Sequence, residues 1–340
     1  MSNFVVVLLF VLGFVLIVKG GDLFVDASVW IAEITGVPKM LIGATIVSLA
    51  TTLPELLVSV VAASKGVPDM AIGNAIGSTI CNIGLILGIC CIFMPGKTEK
   101  AFKPKGLLML GATLSLMIFS LDRNVDKIEG IMLLLMLVFY VYINLKAVKA
   151  ARKATLESAV EVEDLNPSDV ANGNTIFIHI LKFLLGAIGI VLGARLLVDN
   201  GVIIAHILRI PQQIISLTLI AIGTSLPELT TAITSIRKGE QSISIGNILG
   251  ANILNVTMIL GTSSLITKNG LIISSRNINL FGKVFKSVPQ TLYIDVPVSI
   301  ILMLVVIVPG IVSNKLRKRH GIIMISIYSI YLIFLAVSIM

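Results

Sequence analysis

The sequence is poor in charge, in cysteine and in histidine. Only 13% of its 340 residues are charged, whereas a soluble domain carries about 25%. With 56% hydrophobic residues and a mean hydropathy of +1.03, too few polar side chains remain to cover a water-soluble surface, which argues against a soluble enzyme. The three cysteines fall in one apolar stretch and the three histidines are far apart, so neither a disulfide framework nor a histidine metal site is expected.

The apolar residues form many runs of a length that crosses a bilayer. A transmembrane helix needs about 20 apolar residues, whereas a barrel strand needs about 10 alternating ones. We therefore predict an all-α integral membrane protein with ten transmembrane helices. The predicted spans are residues 4–32, 40–63, 70–94, 106–121, 128–147, 176–205, 213–236, 243–264, 290–310 and 322–340.

The charges lie mainly in short segments between the spans. With the N-terminus outside, the loops on the cytoplasmic side hold about 15 Lys and Arg against about 8 on the other side, as the positive-inside rule requires. We predict a multi-pass protein of the cell membrane with an outside N-terminus and a first span that is retained. The basic excess forms no stripe with interleaved aromatics, so nucleic acid is not expected as a partner.

The chain contains an internal duplication. Segments 20–88 and 193–261 align without a gap at an offset of 173, and roughly 27 of 69 positions are identical. Each half holds five spans, an odd number, so the second half enters the membrane from the opposite side. Such inverted repeats are typical of secondary transporters. We predict a first five-helix repeat (1–150), an acidic cytoplasmic linker (151–175) and a second, inverted repeat (176–340).

Two acidic residues, Glu55 and Glu228, lie in the middle of predicted spans and are equivalent in the duplication. An ionisable group at a helix centre costs about 2.5–3.5 kcal/mol, which a bound cation would offset. Each glutamate follows a proline, Pro54 or Pro227, that should break its helix at the membrane midplane and free backbone carbonyls. The alternative is that both glutamates are protonated or hydrogen-bonded for structural reasons.

The following spans supply neutral oxygen ligands. Ser78 and Asn82 are four residues apart and share a helix face, as do Ala251 and Asn255 in the second repeat. Two carboxylates, amide oxygens, hydroxyls and freed carbonyls make an all-oxygen site for a hard cation such as Ca²⁺, Na⁺ or Mg²⁺. The flexible coordination of Ca²⁺ suits such a site better than the strict octahedron of Mg²⁺.

At these motifs the sequence resembles the calcium/cation antiporter superfamily, specifically the microbial sodium/calcium exchangers. The resemblance rests on residues 50–55 with 73–82 and on residues 223–228 with 246–255, and it covers nearly the whole chain. It implies spans 2, 3, 7 and 8 around a midplane site that opens alternately to each side. It further implies Ca²⁺ ligands in Glu55, Glu228 and the carbonyls of Thr51 and Thr224; sodium ligands in Ser48, Thr51, Thr52, Ser78, Ala221, Thr224 and Ser225; and a middle lined by Asn82 and Asn255.

Two positions depart from this family pattern. Several relatives carry an acidic residue where this chain has Asn255, and a serine where it has Ala251. The first difference leaves two formal negative charges in the site. The second removes a hydroxyl from one sodium site.

The expected function is Ca²⁺/Na⁺ antiport by alternating access, with both ions competing for the two glutamates and spans 1 and 6 sliding as the gate. No cofactor is expected, the bilayer and the transported ions are the expected partners, and the sequence makes no prediction of oligomeric state. One alternative is a Ca²⁺/H⁺ antiporter of the same fold. A cation channel is disfavoured by the inverted repeats, and an intramembrane enzyme by the absence of a Ser/His pair, a His-Glu-x-x-His motif and a phosphate loop.

Overall fold

The computed structural model describes residues 3–160, 173–207, 223–280 and 283–339. Its helices, some with a π-helical turn inside, are α1 Asn3–Thr35, α2 Lys39–Ser64, α3 Pro68–Phe93, α4 Phe102–Asp122, α5 Lys127–Val160, α6 Gly173–Ile207, α7 Leu226–Arg237, α8 Gln241–Ile266, α9 Thr291–Val312 and α10 Lys318–Ile339. Nine of these described helices are long and apolar enough to cross a membrane. The predicted all-α membrane architecture is thereby confirmed.

Two of the predicted segments are only partly described by the structure. The predicted seventh span, 213–236, begins within residues 208–222, which lie outside the described residues, so only its second part is seen as α7. Helix α5 continues to Val160, and the first part of the predicted linker is therefore helical rather than a flexible tether. Residues 161–172 of that linker also lie outside the described residues, and its last three residues begin α6.

Equivalent local structures end α2 and α7. Each helix finishes at a Lys-Gly pair whose glycine, Gly66 or Gly239, has a φ of +74°. That left-handed conformation closes a helix at little cost only for glycine. The same local sequence thus stops the equivalent helix of each repeat, about ten residues after its glutamate.

Contacts between α1 and α6 show that the two repeats run in opposite directions. A Cβ on Gly13 would lie 2.9 Å from the Gly193 carbonyl oxygen, and a Cβ on Gly20 would lie 2.9 Å from that of Gly186. Gly13 is equivalent to Gly186, and Gly20 to Gly193, by the 173-residue offset. Because the earlier glycine of α1 meets the later glycine of α6, equivalent helices cross antiparallel, as inverted repeats require.

The helices differ in burial between the centre and the periphery of the bundle. Helix α8 is almost wholly buried and α3 mostly so, whereas the apolar outer faces of α1, α5, α6 and α10 are exposed where lipid would lie. At the centre, α2 packs against α8 so closely that Gly43 and Gly246 leave no room for a side chain. This close approach brings the motif-bearing helices of the two repeats together.

Short strands join loops of different repeats. The strands are β1 Gly96–Lys97, β2 Asn124–Val125, β3 Leu271–Ile272, β4 Arg276–Leu280, β5 Lys283–Val288 and β6 Lys315–Leu316. The antiparallel pairs are β1–β6, β2–β3 and the β4–β5 hairpin. The first two pairs each connect loops that the sequence predicts on the same side of the membrane.

Candidate cation site

Helix α2 is continuous where the sequence predicts a break. Its α-helical part runs from Ser48 to Ser64 with Pro54 inside, and a π-helical turn at Gly43–Val47 precedes it. The expected interruption in the first repeat was therefore wrong. Pro54 nevertheless lacks the N–H that would bond the carbonyl of Ala50, so one backbone acceptor loses its helical donor at this depth.

In the second repeat the chain does turn at the equivalent position. Helix α7 begins at Leu226, with Pro227 in its first turn, and Ser225 before it has non-helical dihedrals of −93° and 9°. Proline is well suited to this place, because the first N–H groups of a helix have no intrahelical partner. The turn places Thr224 and Ser225 shortly before the glutamate, and the Ser225 carbonyl accepts from the Leu229 N–H at 3.0 Å.

Glu55 and Glu228 meet at the centre of the molecule. Their residues are only 2% and 1% exposed, and their carboxylates lie within hydrogen-bonding reach of each other. The Oε2 atom of each is buried without a hydrogen-bond donor. Two ionised carboxylates this close in a buried site repel one another strongly, so a cation or a proton is needed between them.

Four more buried oxygens around these carboxylates lack a donor, and they too form equivalent pairs. The hydroxyls of Thr52 and Ser225 have no hydrogen-bond partner, and neither do the Oδ1 atoms of Asn82 and Asn255. All four residues are 1% exposed or less. Since buried polar atoms are nearly always hydrogen-bonded, three equivalent pairs of unpaired oxygens make these residues the candidate ligands for a bound ion.

The other predicted ligands differ in their surroundings. Ser78 Oγ lies 3.4 Å from Thr224 Oγ1, and this contact joins the two repeats. Ser48 Oγ donates to the Thr45 carbonyl at 3.2 Å. Thr51 Oγ1 donates to Asn247 Oδ1 at 3.2 Å and also reaches the Glu228 carboxylate. Ala221 lies outside the described residues.

Three amides were absent from the predicted ligand set; Asn247 and Asn252 are buried and Asn74 is half-buried. Asn252 Oδ1 accepts from Asn82 Nδ2 at 3.1 Å, which turns the Asn82 amide oxygen away from Asn252. Asn74 Nδ2 donates to the Glu55 carbonyl at 3.2 Å, and Asn247 receives the Thr51 hydroxyl. Asn74 and Asn247 are equivalent in the duplication, and this repetition was the signal that could have identified them.

Among the described residues, two cavities lead from the glutamate pair toward one face of the protein. A cavity of about 170 Å³ extends from Glu55 and Thr224, past Pro54, to Arg195 and Asp199 of α6. A second cavity, of about 320 Å³, continues past Arg195 to Lys65 at the end of α2. Within the described ranges no cluster of three or more His, Cys, Asp and Glu residues could hold a metal ion, so the anionic part of the site is the glutamate pair.

Comparison with known proteins agrees with this architecture. The chain is 30% identical to the sodium/calcium exchanger MaX1 of Methanosarcina acetivorans, with 98% of each chain covered. It is 35% identical to the inner membrane protein YrbG of Escherichia coli, over 76% of this chain and 79% of that one. The solved structure of the sodium-calcium exchanger NCX_Mj superposes with a TM-score of 0.78 at 29% identity and covers 97% of this chain and 98% of that chain.

The profile of the family described as "Sodium/calcium exchanger protein" matches residues 5–146 and 178–337, which lie in the two predicted repeats. Members of this family are transporters rather than enzymes. The match covers most of the chain and includes both glutamate motifs. The chain therefore belongs to the sodium/calcium exchanger family.

Proposed function

We propose that this protein exchanges Ca²⁺ for Na⁺ across a membrane by alternating access. Both ions compete for one site built around Glu55 and Glu228, so net movement of either ion requires movement of the other. The amide oxygens of Asn82 and Asn255 and the hydroxyls of Thr52 and Ser225 complete the coordination. Thr51, Ser48, Ser78, Thr224 and Ala221 belong to the proposed sodium positions.

Of nine buried side-chain oxygens without a hydrogen-bond partner among the described residues, six occupy equivalent positions in the two repeats, and these six carry the proposal. They comprise two carboxylate, two amide and two hydroxyl oxygens, and each type occurs once in each repeat. Six to eight oxygens in a flexible arrangement suit Ca²⁺, and a hard monovalent cation of similar size can use the same ligands. The two negative charges are enough to compensate one Ca²⁺ ion.

Uptake of ⁴⁵Ca²⁺ into proteoliposomes tests the proposal. Vesicles are loaded with Na⁺ and diluted into Na⁺-free medium containing ⁴⁵Ca²⁺, with a second set that carries a pH gradient and no Na⁺. We expect uptake only with internal Na⁺, and its loss in Glu55→Gln and Glu228→Gln, since each amide removes one of the two compensating charges.

Asp295→Asn is the matched control for these variants. Asp295 is also a buried acid in a membrane helix, but its carboxylate already accepts from Gln290 and Tyr331 at 2.9 and 3.0 Å. We expect Asp295→Asn to retain Na⁺-dependent uptake. Uptake that survives both glutamate substitutions would show that the site lies elsewhere.

A Ca²⁺/H⁺ antiporter of the same fold is the second candidate. It is favoured by Ala251, which provides no hydroxyl at the position equivalent to Ser78, and by a glutamate pair that could hold a proton instead of Na⁺. Uptake that follows the pH gradient and ignores Na⁺ would select this function.

A further inference from the structure

Ion pairs tie α1 to the end of α7. Lys238 Nζ donates to Asp26 Oδ1 at 2.6 Å and lies 4.0 Å from Asp22 Oδ1, while Arg237 Nη1 lies 3.7 Å from Asp22 Oδ1. Lys238 is ten residues after Glu228, which corresponds to about 15 Å of helix. These pairs therefore close over the path between the glutamates and one face of the protein.

Beneath these ion pairs α1 and α7 are in direct contact. A Cβ on Gly21 would lie 2.7 Å from Thr234 Oγ1 and 2.9 Å from Thr230 Cγ2, and the neighbouring Val25 is completely buried. No cation could pass between helices at this separation. On this face the packing of α1 against α7 closes the path, and the ion pairs stabilise the closed arrangement.

In the described part of the chain, the equivalent positions on the opposite face line cavities instead of packing directly against each other. Gly21 corresponds to Ala194 and Thr234 to Val61, and these two residues line the cavities between α6 and α2. Lys238 corresponds to Lys65 and Asp26 to Asp199, which line the same cavities. The two halves of the duplication thus occupy different states, one closed and one open.

One equivalent pair differs in the sign of its charge. Asp22 of α1 corresponds to Arg195 of α6, so the closed face has two carboxylates beside Lys238 whereas the open face has one carboxylate and a cation near Lys65. If α6 closed on α2 as α1 closes on α7, Arg195 would approach Lys65, and like charges repel. The open face therefore lacks the attraction that holds the other face shut.

We propose that the Asp22–Asp26–Arg237–Lys238 cluster is a latch that holds one face of the transport path closed, and that Arg195 keeps the opposite face open at rest. This inference depends on the alternating access in the proposed function but not on which ions are exchanged. Breaking the latch shifts the population of molecules toward the opposite open state. A second carboxylate on the open face shifts the population of molecules toward closure of that face.

Thiol labelling of two equivalent positions tests the latch. Val198→Cys places a thiol in the cavity, and Val25→Cys places one at the equivalent buried position. Purified protein in detergent is treated with a water-soluble maleimide, which reaches both faces at once. The parent chain gives the background rate, because Cys81, Cys90 and Cys91 are buried.

We expect Val198→Cys to react many times faster than Val25→Cys in the otherwise unchanged chain. Adding Asp26→Asn should raise the rate at Val25→Cys several-fold, and the charge swap Asp26→Lys with Lys238→Asp should return it toward the slow value. Adding Arg195→Asp should slow the reaction of Val198→Cys several-fold, since the new carboxylate can pair with Lys65.

Glu33→Gln is the matched control. Glu33 is also an acidic residue of α1 on this face, but it pairs with Lys39, 3.6 Å away, and not with α7. An unchanged rate at Val25→Cys in Asp26→Asn, an equal rise in Glu33→Gln, or a swap that reacts as fast as Asp26→Asn would each overturn the latch. Labelling requires no transported ion, so these results are independent of the ⁴⁵Ca²⁺ experiment.

Discussion

At the scale of single residues, Asn82 is the candidate ligand whose surroundings the structure defines most closely. Its Nδ2 donates to Asn252, so its unpaired Oδ1 remains available to a cation. Asn82→Leu keeps the size of the side chain and removes that oxygen. We expect the apparent affinity for Ca²⁺ to fall by about tenfold, since the loss of one polar interaction of about 1.4 kcal/mol changes an equilibrium tenfold.

The Ca²⁺ dependence of initial ⁴⁵Ca²⁺ uptake measures this effect. Asn200→Leu is the control, because Asn200 is similarly buried but donates to the Leu196 carbonyl in its own helix. Equal affinities in Asn82→Leu and Asn200→Leu would remove Asn82 from the proposed ligands.

The sequence could predict the candidate ligands that stand out by charge or by repetition. Glu55 and Glu228 were found because carboxylates are rare within apolar spans, and Asn82 and Asn255 because they share a helix face with polar or small neighbours. Asn252 could not be predicted as a partner of Asn82, since the bond joins residues 170 positions apart. Its equivalent in the first repeat is Thr79, so repetition gave no signal.

At the scale of helices, the two internal prolines Pro54 and Pro309 allow a matched test. Both lie inside α-helices, but only Pro54 borders the cavity and the candidate site. Because proline in a helix interior costs about 3 kcal/mol relative to alanine, we expect both Pro54→Ala and Pro309→Ala to raise the melting temperature.

Only Pro54→Ala should also lower the rate of ⁴⁵Ca²⁺ uptake, since it supplies the N–H that engages the Ala50 carbonyl and stiffens α2 beside the site. Thermal unfolding in detergent and uptake in proteoliposomes give the two readouts. Equal uptake by Pro54→Ala and the unsubstituted chain would mean that the proline is not required for transport.

The helices themselves followed from the sequence more closely than their irregularities. Long apolar runs located the described spans to within a few residues, because the bilayer requires a minimum apolar length. The polar continuation of α5 to Val160 was not predicted, because membrane spans are predicted from hydrophobicity and not from helix propensity. The π-helical turn at Gly43–Val47 was also missed, and it lies where α2 contacts α8, a tertiary contact that no local pattern encodes.

The close contact of α1 with α6 predicts that a larger side chain between these two helices slows transport. A side chain at Gly20 would meet the carbonyl of Gly186 and the amide nitrogen of Ile190, each at 2.9 Å. Gly20→Val should therefore prevent the two helices from sliding past each other and lower the uptake rate several-fold. Ca²⁺ should still raise the melting temperature in detergent, because the central helices that hold the site are unchanged.

Gly111→Val is the control for this substitution. Gly111 also lies in a membrane helix, α4, but among the described residues no atom outside its own helix backbone comes within 4 Å of the position its Cβ would occupy. We expect normal uptake from Gly111→Val. If Gly20→Val transports as well as Gly111→Val, sliding of α1 against α6 is not part of the transport cycle.

At the scale of the whole molecule, the duplication explains both the site and its asymmetry. Equivalent residues supply the paired oxygens of the site, as an inverted repeat around a midplane requires. The differences between the repeats make the two halves unequal. Asp22 against Arg195 distinguishes the closed face from the open one, and Ser78 against Ala251 distinguishes the two sides of the cation site.

The orientation of the molecule in the membrane is the remaining prediction. Lys and Arg are concentrated on the side that carries the latch residues Arg237 and Lys238, and the positive-inside rule places that side in the cytoplasm. The paired loops agree with one another, because β1 and β6 join two loops of this side and β2 and β3 join two loops of the other.

Reporter fusions test this orientation. Alkaline phosphatase is active only outside the cytoplasm, and green fluorescent protein exported in unfolded form fluoresces only inside. We expect fluorescence and no phosphatase activity from fusions after residue 165, and the reverse after residue 340, since ten spans return the C-terminus to the side of the N-terminus. The opposite pattern would place the latch outside, and the resting protein would then be open to the cytoplasm.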